Sequence, residues 1–278
     1  MNRNCISSDP CFDDPSFPPG FAPLAFDVEG CTLFGVLYTA GGKGPHPTMV
    51  ILHGFPGTEK NCDLAQILRR GGCNTVVFSY RGAWGSQGCF SFSHAVEDAR
   101  AAVHFLREEP FAGDHAVDRD RIVIAGHSMG GFAAVKAAET LPFVKDLVFI
   151  SGWNVGFDGK RASDDPDARR KLRDLLSSCR PLAGTDQEAL WKEIEEKKEE
   201  FDLRNSAGAL GGKSMLMVGA GKDSVTPPSV HHEPLAAAFR ATGKIAVEER
   251  MVDSDHSYSC SRIALAGIIV DYLQRRGY

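Results

Sequence analysis

Short apolar runs alternate with longer helix-like segments along most of the chain, and this alternation restricts the possible folds more than any other feature. The runs PTMVILHG, NTVVFSY, RIVIAGH, DLVFISG, KSMLMVGA and IAVEERMV are each typical of a buried strand. Amphipathic stretches such as EKNCDLAQILRRGG and HAVEDARAAVHFLREE separate them. Strands and helices that alternate in this way form parallel β-α-β units. The sequence therefore predicts an α/β fold with a doubly wound, mostly parallel sheet.

Two segments stand outside this alternation. Residues 1–20 are rich in proline and aspartate, which predicts an irregular N-terminal arm. Residues 154–212 carry no strand pattern, and their stretches DARRKLRDLLSS and TDQEALWKEIEEKKEEFDL are typical of helices, the second with capping-box spacing of Thr185 and Glu188. We therefore expect a core made of residues 21–153 and 213–278, with residues 154–212 inserted as a small helical cap at the carboxyl edge of the sheet.

Composition argues against several classes of protein. The net charge of −5, without a basic cluster, favours neither a nucleic-acid partner nor an anionic membrane surface. The absence of a signal-peptide pattern and of an 18-residue apolar run predicts a cytoplasmic protein without a membrane partner. None of the eight cysteines forms a C-x-x-C pair, and His231-His232-Glu233 does not match H-E-x-x-H, so we expect no metal and no cofactor.

The segment IVIAGHSMGGFAAVKAAE places Ser128 between Gly126 and Gly130, where a strand must become a helix. So sharp a turn strains the backbone of its central residue, and side chains two positions away on either side would collide across it. The G-x-S-x-G pattern alone is weak, but its position between strand and helix favours Ser128 as an exposed nucleophile. A plain glycine turn is the alternative.

A serine nucleophile needs a base, and the base needs a carboxylate that orients it. Asp223 follows the strand MLMVGA, and His256 lies in the loop between the last strand and the last helix. Each of these residues follows a strand at its carboxyl end, and their chain order is the one that a serine elbow in such a sheet requires. Asp253 and Asp255 remain as alternative acids. Four other histidines, His53, His94, His104 and His127, are expected to be structural or to support the site residues from behind.

An acyl-transfer intermediate also needs amide donors for its oxyanion. The backbone N–H of Met129, at the start of the helix, is one candidate. Phe55 is the other, because it lies in the glycine-rich loop HGFPG, where Pro56 has no N–H to give. The alternative is that this loop is only a turn between strand and helix. In the later motif YRGAWGS, Tyr80, Arg81 and Trp84 are candidates for the substrate pocket.

Five motifs occur in order: HGFPGT, YRGAWGSQG, GHSMGG, GKDSVTPP and DSDHSY. With them the chain resembles the α/β-hydrolase superfamily over about residues 22 to 276, and most of all small esterases, such as cinnamoyl and feruloyl esterases, and prolyl-oligopeptidase-type peptidases. The resemblance implies a triad of Ser128, Asp223 and His256, with Phe55 and Met129 as oxyanion donors. A serine nucleophile, rather than aspartate or cysteine, argues against dehalogenases, epoxide hydrolases and dienelactone hydrolases.

These observations predict a serine hydrolase that cleaves small-molecule carboxylic esters of small to medium acyl groups through an acyl-enzyme. A peptidase or amidase acting on short peptides is the main alternative, and the acidic stretch SDDPD (163–167) could then hold a terminal amine. A ligand-binding protein that has lost catalysis is a further alternative. It is disfavoured because all three triad candidates are present in order.

Overall fold

A computed structural model describes residues 1, 3–9 and 14–278, and eight strands of that part of the chain form one sheet. The strands are β1 (Gly20–Val28), β2 (Cys31–Thr39), β3 (His46–Leu52), β4 (Asn74–Phe78), β5 (Val117–His127), β6 (Asp146–Ile150), β7 (Ser214–Ala220) and β8 (Ala246–Val252). Their order across the sheet is β1-β2-β4-β3-β5-β6-β7-β8. The hairpin β1–β2 and the pair β2–β4 are antiparallel, and all other pairs are parallel. The predicted mostly parallel sheet is therefore confirmed.

Helices connect the parallel strands. They are α1 (Cys62–Arg70), α2 (Phe92–Phe105), α3 (Phe111–Asp114), α4 (Met129–Ala138), α5 (Val155–Asp164), α6 (Pro166–Leu176), α7 (Gln187–Lys197), α8 (Pro228–His231), α9 (Glu233–Thr242) and α10 (Arg262–Arg275). None of the helices in the described part of the chain is both long and apolar enough to cross a membrane.

The continuous apolar strands fill two cores, one on each face of the sheet. In β6, Leu147 and Phe149 pack into the cluster that contains α2, α4 and α9, whereas Val148 and Ile150 pack into the cluster that contains α1 and α10. Successive side chains of a strand point to opposite faces, so a strand covered by helices on both sides needs apolar residues at every position. This is why the central strands read as uninterrupted apolar runs.

The segment between β6 and β7 contains three helices, not only the two that the sequence predicts. The additional helix is α5, whose sequence VGFDGKRASD contains two glycines that weaken a helix in isolation. Both glycines allow close packing: a Cβ on Gly156 would lie 2.2 Å from the backbone N of Asp202, and one on Gly159 would lie 2.7 Å from Ile194. Tertiary contact therefore stabilises α5 against its own local preference.

The N-terminal segment differs in part from the irregular arm predicted for residues 1–20. Arg3–Ile6 form a 3₁₀ turn, and Cys5 within it is buried. The terminal amino group of Met1 donates to the carbonyl of Tyr278 over 3.0 Å, which ties the two ends of the chain together. Residues 7–9 and 14–19 lie in no helix or strand, and residues 2 and 10–13 lie outside the described residues.

Candidate active site

Ser128 forms a strained elbow between β5 and α4. Its φ of 57° and ψ of −123° lie outside the usual regions for a residue with a side chain. A Cβ on Gly126 would lie 2.0 Å from the carbonyl oxygen of Gly130, and a Cβ on Gly130 would lie 2.1 Å from that of Leu52. A Cβ on Gly126 would thus collide across the turn, as the sequence predicts, whereas one on Gly130 would collide with the end of β3 instead.

The neighbouring strand anchors this elbow. The backbone N–H of Ser128 donates to the carbonyl of Ile150 at the end of β6, over 3.0 Å. The carbonyl of Ser128 accepts from Trp153, just beyond β6, and from Gly131 within α4, each over 2.9 Å. The backbone N–H and the carbonyl of Ser128 are thus both held by hydrogen bonds, which keeps the strained backbone in place.

Asp223 and His256 meet at the same edge of the sheet, after β7 and β8. The Nδ1 atom of His256 lies 2.7 Å from Oδ2 of Asp223, and the other carboxylate oxygen accepts from the backbone N–H groups of Val225 and Thr226, each over 2.8 Å. Burial raises the pKa of Asp223, but hydrogen bonds from His256 and Thr226 outweigh it and lower the pKa to about 2. The ionised carboxylate accepts the Nδ1 proton, which leaves Nε2 of His256 available as a base.

The two alternative acids have other partners. Asp253 pairs with Lys222 over 2.9 Å, and both side chains are exposed. Asp255 accepts from the backbone N–H of Ser259 over 2.7 Å and from its hydroxyl over 2.6 Å. The structure thus brings Asp223, rather than either of these carboxylates, to the imidazole of His256.

Ser128 and His256 line one cleft of about 260 Å³, which we call the Ser128 cleft. Phe55 also lines it, and a Cβ on Gly54 would lie 3.0 Å from the Cβ of Ser128, so the HGFPG loop contacts the elbow closely. Met129 is the first residue of α4, and first-turn amides have no acceptor within their own helix. Both predicted oxyanion residues therefore lie beside Ser128.

The three predicted pocket residues lie elsewhere, and this prediction is corrected. Tyr80 is fully buried, and its hydroxyl donates to the carbonyl of His53 over 3.2 Å. Arg81 is buried in a network with the carboxylates of Asp98, Glu97 and Glu29. Trp84 donates from its indole to the carbonyl of Pro56 over 2.8 Å, so it supports the HGFPG loop from outside. None of the three lines the Ser128 cleft.

Two side chains that the sequence analysis did not assign to the site complete its polar part. The hydroxyl of Thr226 lies 2.9 Å from Oδ2 of Asp223 and 3.2 Å from Nδ1 of His256. Nε2 of His127 donates to the carbonyl of His256 over 2.9 Å. Burial, and then the neighbouring His256, lower the pKa of His127 to about 4, so it supports the loop as a neutral ring. Thr226 could have been found, because a threonine three residues after an aspartate is typical of a loop closed on the carboxylate.

Apolar side chains make up much of the remaining wall. Trp153 follows β6, Leu175 comes from α6, and Val225 comes from the loop after β7. Glu59 adds a carboxylate. His231 and His232 lie elsewhere, near Asp158 and Glu249 respectively. Within the described residues, no group of three His, Cys, Asp or Glu side chains could hold a metal ion.

Comparison with known proteins supports this architecture. The thiohydrolase apmlB of Arthrinium phaeospermum is 28% identical over 188 residues, which is 65% of this chain and 58% of that relative. The chain thus spans little more than half the length of this relative. The esterase Pf2001 of Pyrococcus furiosus has a TM-score of 0.68 at 16% identity and covers 96% of this chain and 97% of its own. Est1E of Butyrivibrio proteoclasticus, solved with ferulic acid, has a TM-score of 0.67 at 16% identity over 91% of this chain and 98% of its own.

The structural likeness to both esterases is a likeness of fold, since their sequence identity is low. A sequence model of the alpha/beta hydrolase family matches residues 49–259, which include the HGFPG loop, the Ser128 elbow, Asp223 and His256. That range is well over half of the chain. The chain belongs to the alpha/beta hydrolase family.

Proposed function

We propose that this hydrolase cleaves carboxylic esters of small to medium acyl groups through an acyl-enzyme on Ser128. The observation that carries the proposal is the meeting of Ser128 and the His256–Asp223 pair in one cleft. The positive φ of Ser128 supports it, because such strain persists only where the surrounding structure holds it. No cofactor is required, since positioning and amide donors can supply the rate acceleration.

The mechanism follows from the available atoms. Nε2 of His256 takes the proton of the Ser128 hydroxyl while Oγ attacks the ester carbonyl, and the backbone N–H groups of Phe55 and Met129 stabilise the oxyanion. The C–O bond to the alcohol then breaks, and His256 returns the proton to the departing alcohol. A water molecule, deprotonated by His256 in its turn, then attacks the acyl carbon. The bond between this carbon and Oγ of Ser128 breaks, His256 returns the proton to Oγ, and the acid leaves. Asp223 holds the imidazole in the required tautomer throughout.

The preference for small to medium acyl groups rests on the walls of the Ser128 cleft. The volume of about 260 Å³ lies just below the usual range for ligand pockets. Phe55, Trp153 and Leu175 offer apolar surface to an acyl chain. In the proposed arrangement, residues 154–212 act as a cap, because Leu175 from α6 forms part of this wall.

Peptide or amide cleavage is the second candidate, and one observation favours it. Glu59 lines the Ser128 cleft, and its carboxylate, which also accepts from the backbone N–H of Asn61, could attract a substrate ammonium group. The acidic stretch SDDPD offers less support, because Asp165 caps α6 by accepting from the backbone N–H of Asp167, and Asp167 pairs with Arg170. Neither aspartate lines the cleft.

The test is a set of initial rates on aryl esters of increasing acyl length, on matched thioesters, and on aminoacyl anilides. The thioesters are included because one relative is named a thiohydrolase. We expect ester hydrolysis to exceed anilide hydrolysis and to be lost in Ser128→Ala. Faster anilide cleavage would instead assign a peptidase.

The matched control is Ser177→Ala, which removes an exposed hydroxyl that donates only to the carbonyl of Asp174. This variant should retain full activity. If the folded wild type hydrolyses none of the esters, thioesters and anilides, the proposal is contradicted and a non-catalytic binding protein is favoured.

A further inference from the structure

A second cavity of about 370 Å³ adjoins the Ser128 cleft, and the mechanism above does not use it. It lies between α5, α6 and the loop that follows Asp223. Leu175 and Val225 line both spaces, so the two are neighbours separated by side chains. A substrate that enters the Ser128 cleft could therefore extend past these two residues.

A hydrogen bond from Trp153 connects the linings of the two spaces. Its ring lines the Ser128 cleft, and its indole N–H donates over 2.8 Å to Oδ2 of Asp158, which lines the second cavity. Asp158 also accepts from Arg161 over 3.3 Å, and Nε2 of His231 lies 3.5 Å away. Three groups thus surround the Asp158 carboxylate.

The second cavity contains hydrogen-bond donors besides those that bind Asp158. Arg161 has five N–H donors and gives one to Asp158. Lys171 of α6 also lines the cavity and has no ion-pair partner among the described residues, whereas Arg170 and Arg173 of the same helix are paired. An opposing charge is also present, since Asp174 lies one turn after Lys171, and the side chains of both residues are exposed.

Apolar side chains make up much of the rest of the lining. Leu172, Pro227 and Val230 contribute to it. A pocket with an apolar wall and spare donors fits a chain that is apolar along its length and carries an oxygen acceptor at its end.

We propose that the second cavity binds the remote end of the substrate, reached past Leu175 and Val225, and that this end carries an oxygen acceptor such as a carboxylate. The inference rests on the proposed ester hydrolysis and names its substrate class. It assigns Arg161 and Lys171 to substrate binding rather than to catalysis.

The first test fills the cavity from a residue that does not line the Ser128 cleft. Ala168→Trp places a large ring at a buried position of the second cavity. We expect kcat/KM for a short acetate ester to stay within about twofold, and kcat/KM for a long ester ending in a carboxylate to fall about tenfold or more. Equal effects on both esters, or none on either, would overturn the proposal.

Val230→Trp fills the same cavity from α8 and serves if Ala168→Trp does not fold. The matched control is Ile263→Trp, on an exposed residue of α10 that lies outside both cavities. This control should leave both rates unchanged.

The second test concerns the oxygen acceptor. We expect the wild type to prefer the carboxylate-ended ester over a methyl-ended ester of equal length, and Lys171→Met to reduce that preference about tenfold. Lys192→Met, at an exposed lysine of α7, is the control and should leave the preference unchanged. A wild type that prefers the methyl-ended ester, or a preference that Lys171→Met leaves intact, would contradict the proposed chemistry.

Binding separates this inference from the proposed function. The free dicarboxylic acid corresponding to the long ester is a product analogue whose binding needs no catalysis, and calorimetry on Ser128→Ala can measure it. Binding that is lost in Ala168→Trp supports the second cavity even if no ester is cleaved. If the diacid does not bind to Ser128→Ala while the wild type hydrolyses short esters rapidly, the second cavity is not a substrate site. The proposed ester hydrolysis would then still stand.

Discussion

The Ser128 elbow is a case in which two backbones come so close that no Cβ fits between them. A Cβ on Gly126 would lie 2.0 Å from the carbonyl oxygen of Gly130, and a Cβ on Gly130 would lie 2.1 Å from the carbonyl oxygen of Leu52. The sequence pattern predicts this crowding because strand and helix must meet within one residue. The same reasoning could not place Tyr80 and Arg81, because their burial depends on partners such as Asp98 of α2 that only the tertiary structure brings near.

Gly126→Ala should lower the free energy of unfolding by about 3 kcal/mol, because the new methyl group must displace the backbone at Gly130. Urea denaturation measures the change. Gly208→Ala is the matched control, since a Cβ there meets nothing within 4 Å, and it should be nearly neutral. Equal stabilities of the two variants would contradict the account of the elbow.

Asp223→Asn should reduce kcat for esters by about 10³- to 10⁴-fold. The backbone N–H groups of Val225 and Thr226 donate to one oxygen of Asp223, so the amide oxygen takes that place and the amide NH₂ faces Nδ1 of His256. There the NH₂ donates instead of accepting, which favours the wrong tautomer of the base. Asp253→Asn should have little effect, since its carboxylate pairs with Lys222 at the surface. Steady-state kinetics on the two variants decide between the acids that the sequence leaves open. The reverse ranking would assign Asp253 as the orienting acid.

At the scale of elements, the sequence predicts the strands and helices of the core well, since period and composition agree there. It fails where tertiary packing decides. The glycine-containing helix α5 is missed, and α7 begins one residue later than the predicted capping box at Thr185. The N-cap is Asp186, whose side chain accepts from the backbone N–H of Ala189 over 2.8 Å. Two adjacent residues that can both cap a helix are not distinguished by spacing alone.

Asp186→Ala should therefore destabilise the protein by about 1 kcal/mol, the usual cost of a lost N-cap. Thr185→Ala should change stability by a few tenths of a kcal/mol at most. Thermal unfolding of the two variants, followed by circular dichroism, compares these costs. A larger loss for Thr185→Ala would restore the capping box that the sequence predicts.

At the scale of the whole molecule, the sheet brings together residues far apart in the chain. Ser128, Asp223 and His256 follow β5, β7 and β8, and parallel strands direct all three to one edge. This could be predicted because chain order and strand ends are visible in the sequence. The packing of α6 against the loop after β7, which creates the second cavity, could not be predicted, since no pattern encodes the contact of two surfaces. The cytoplasmic location stays a prediction.

The stability of the molecule should fall in mild acid because of buried neutral histidines. Burial lowers the pKa of both His53 and His127 to about 4, against an ordinary value near 6.5. Between pH 6.5 and 4 the unfolded chain binds these protons and the folded protein does not, so the free energy of unfolding decreases as the pH falls. Each histidine contributes up to about 3 kcal/mol to this loss.

His127→Gln removes one of the two side chains that bind a proton only in the unfolded chain. The free energy of unfolding of this variant should therefore fall less steeply than that of the wild type between pH 6.5 and 4. Urea denaturation across this range gives both slopes. Identical slopes would show that His127 is not held neutral by the fold.

The most direct test of the central claim is to label the folded protein with a fluorophosphonate and locate the adduct by mass spectrometry. A fluorophosphonate reacts with a serine that a neighbouring base activates. We predict a single adduct on Ser128, absent from Ser128→Ala and formed much more slowly in His256→Ala. An unlabelled protein, or an adduct on another serine with Ser128 unmodified, would contradict the assignment of Ser128 as the nucleophile.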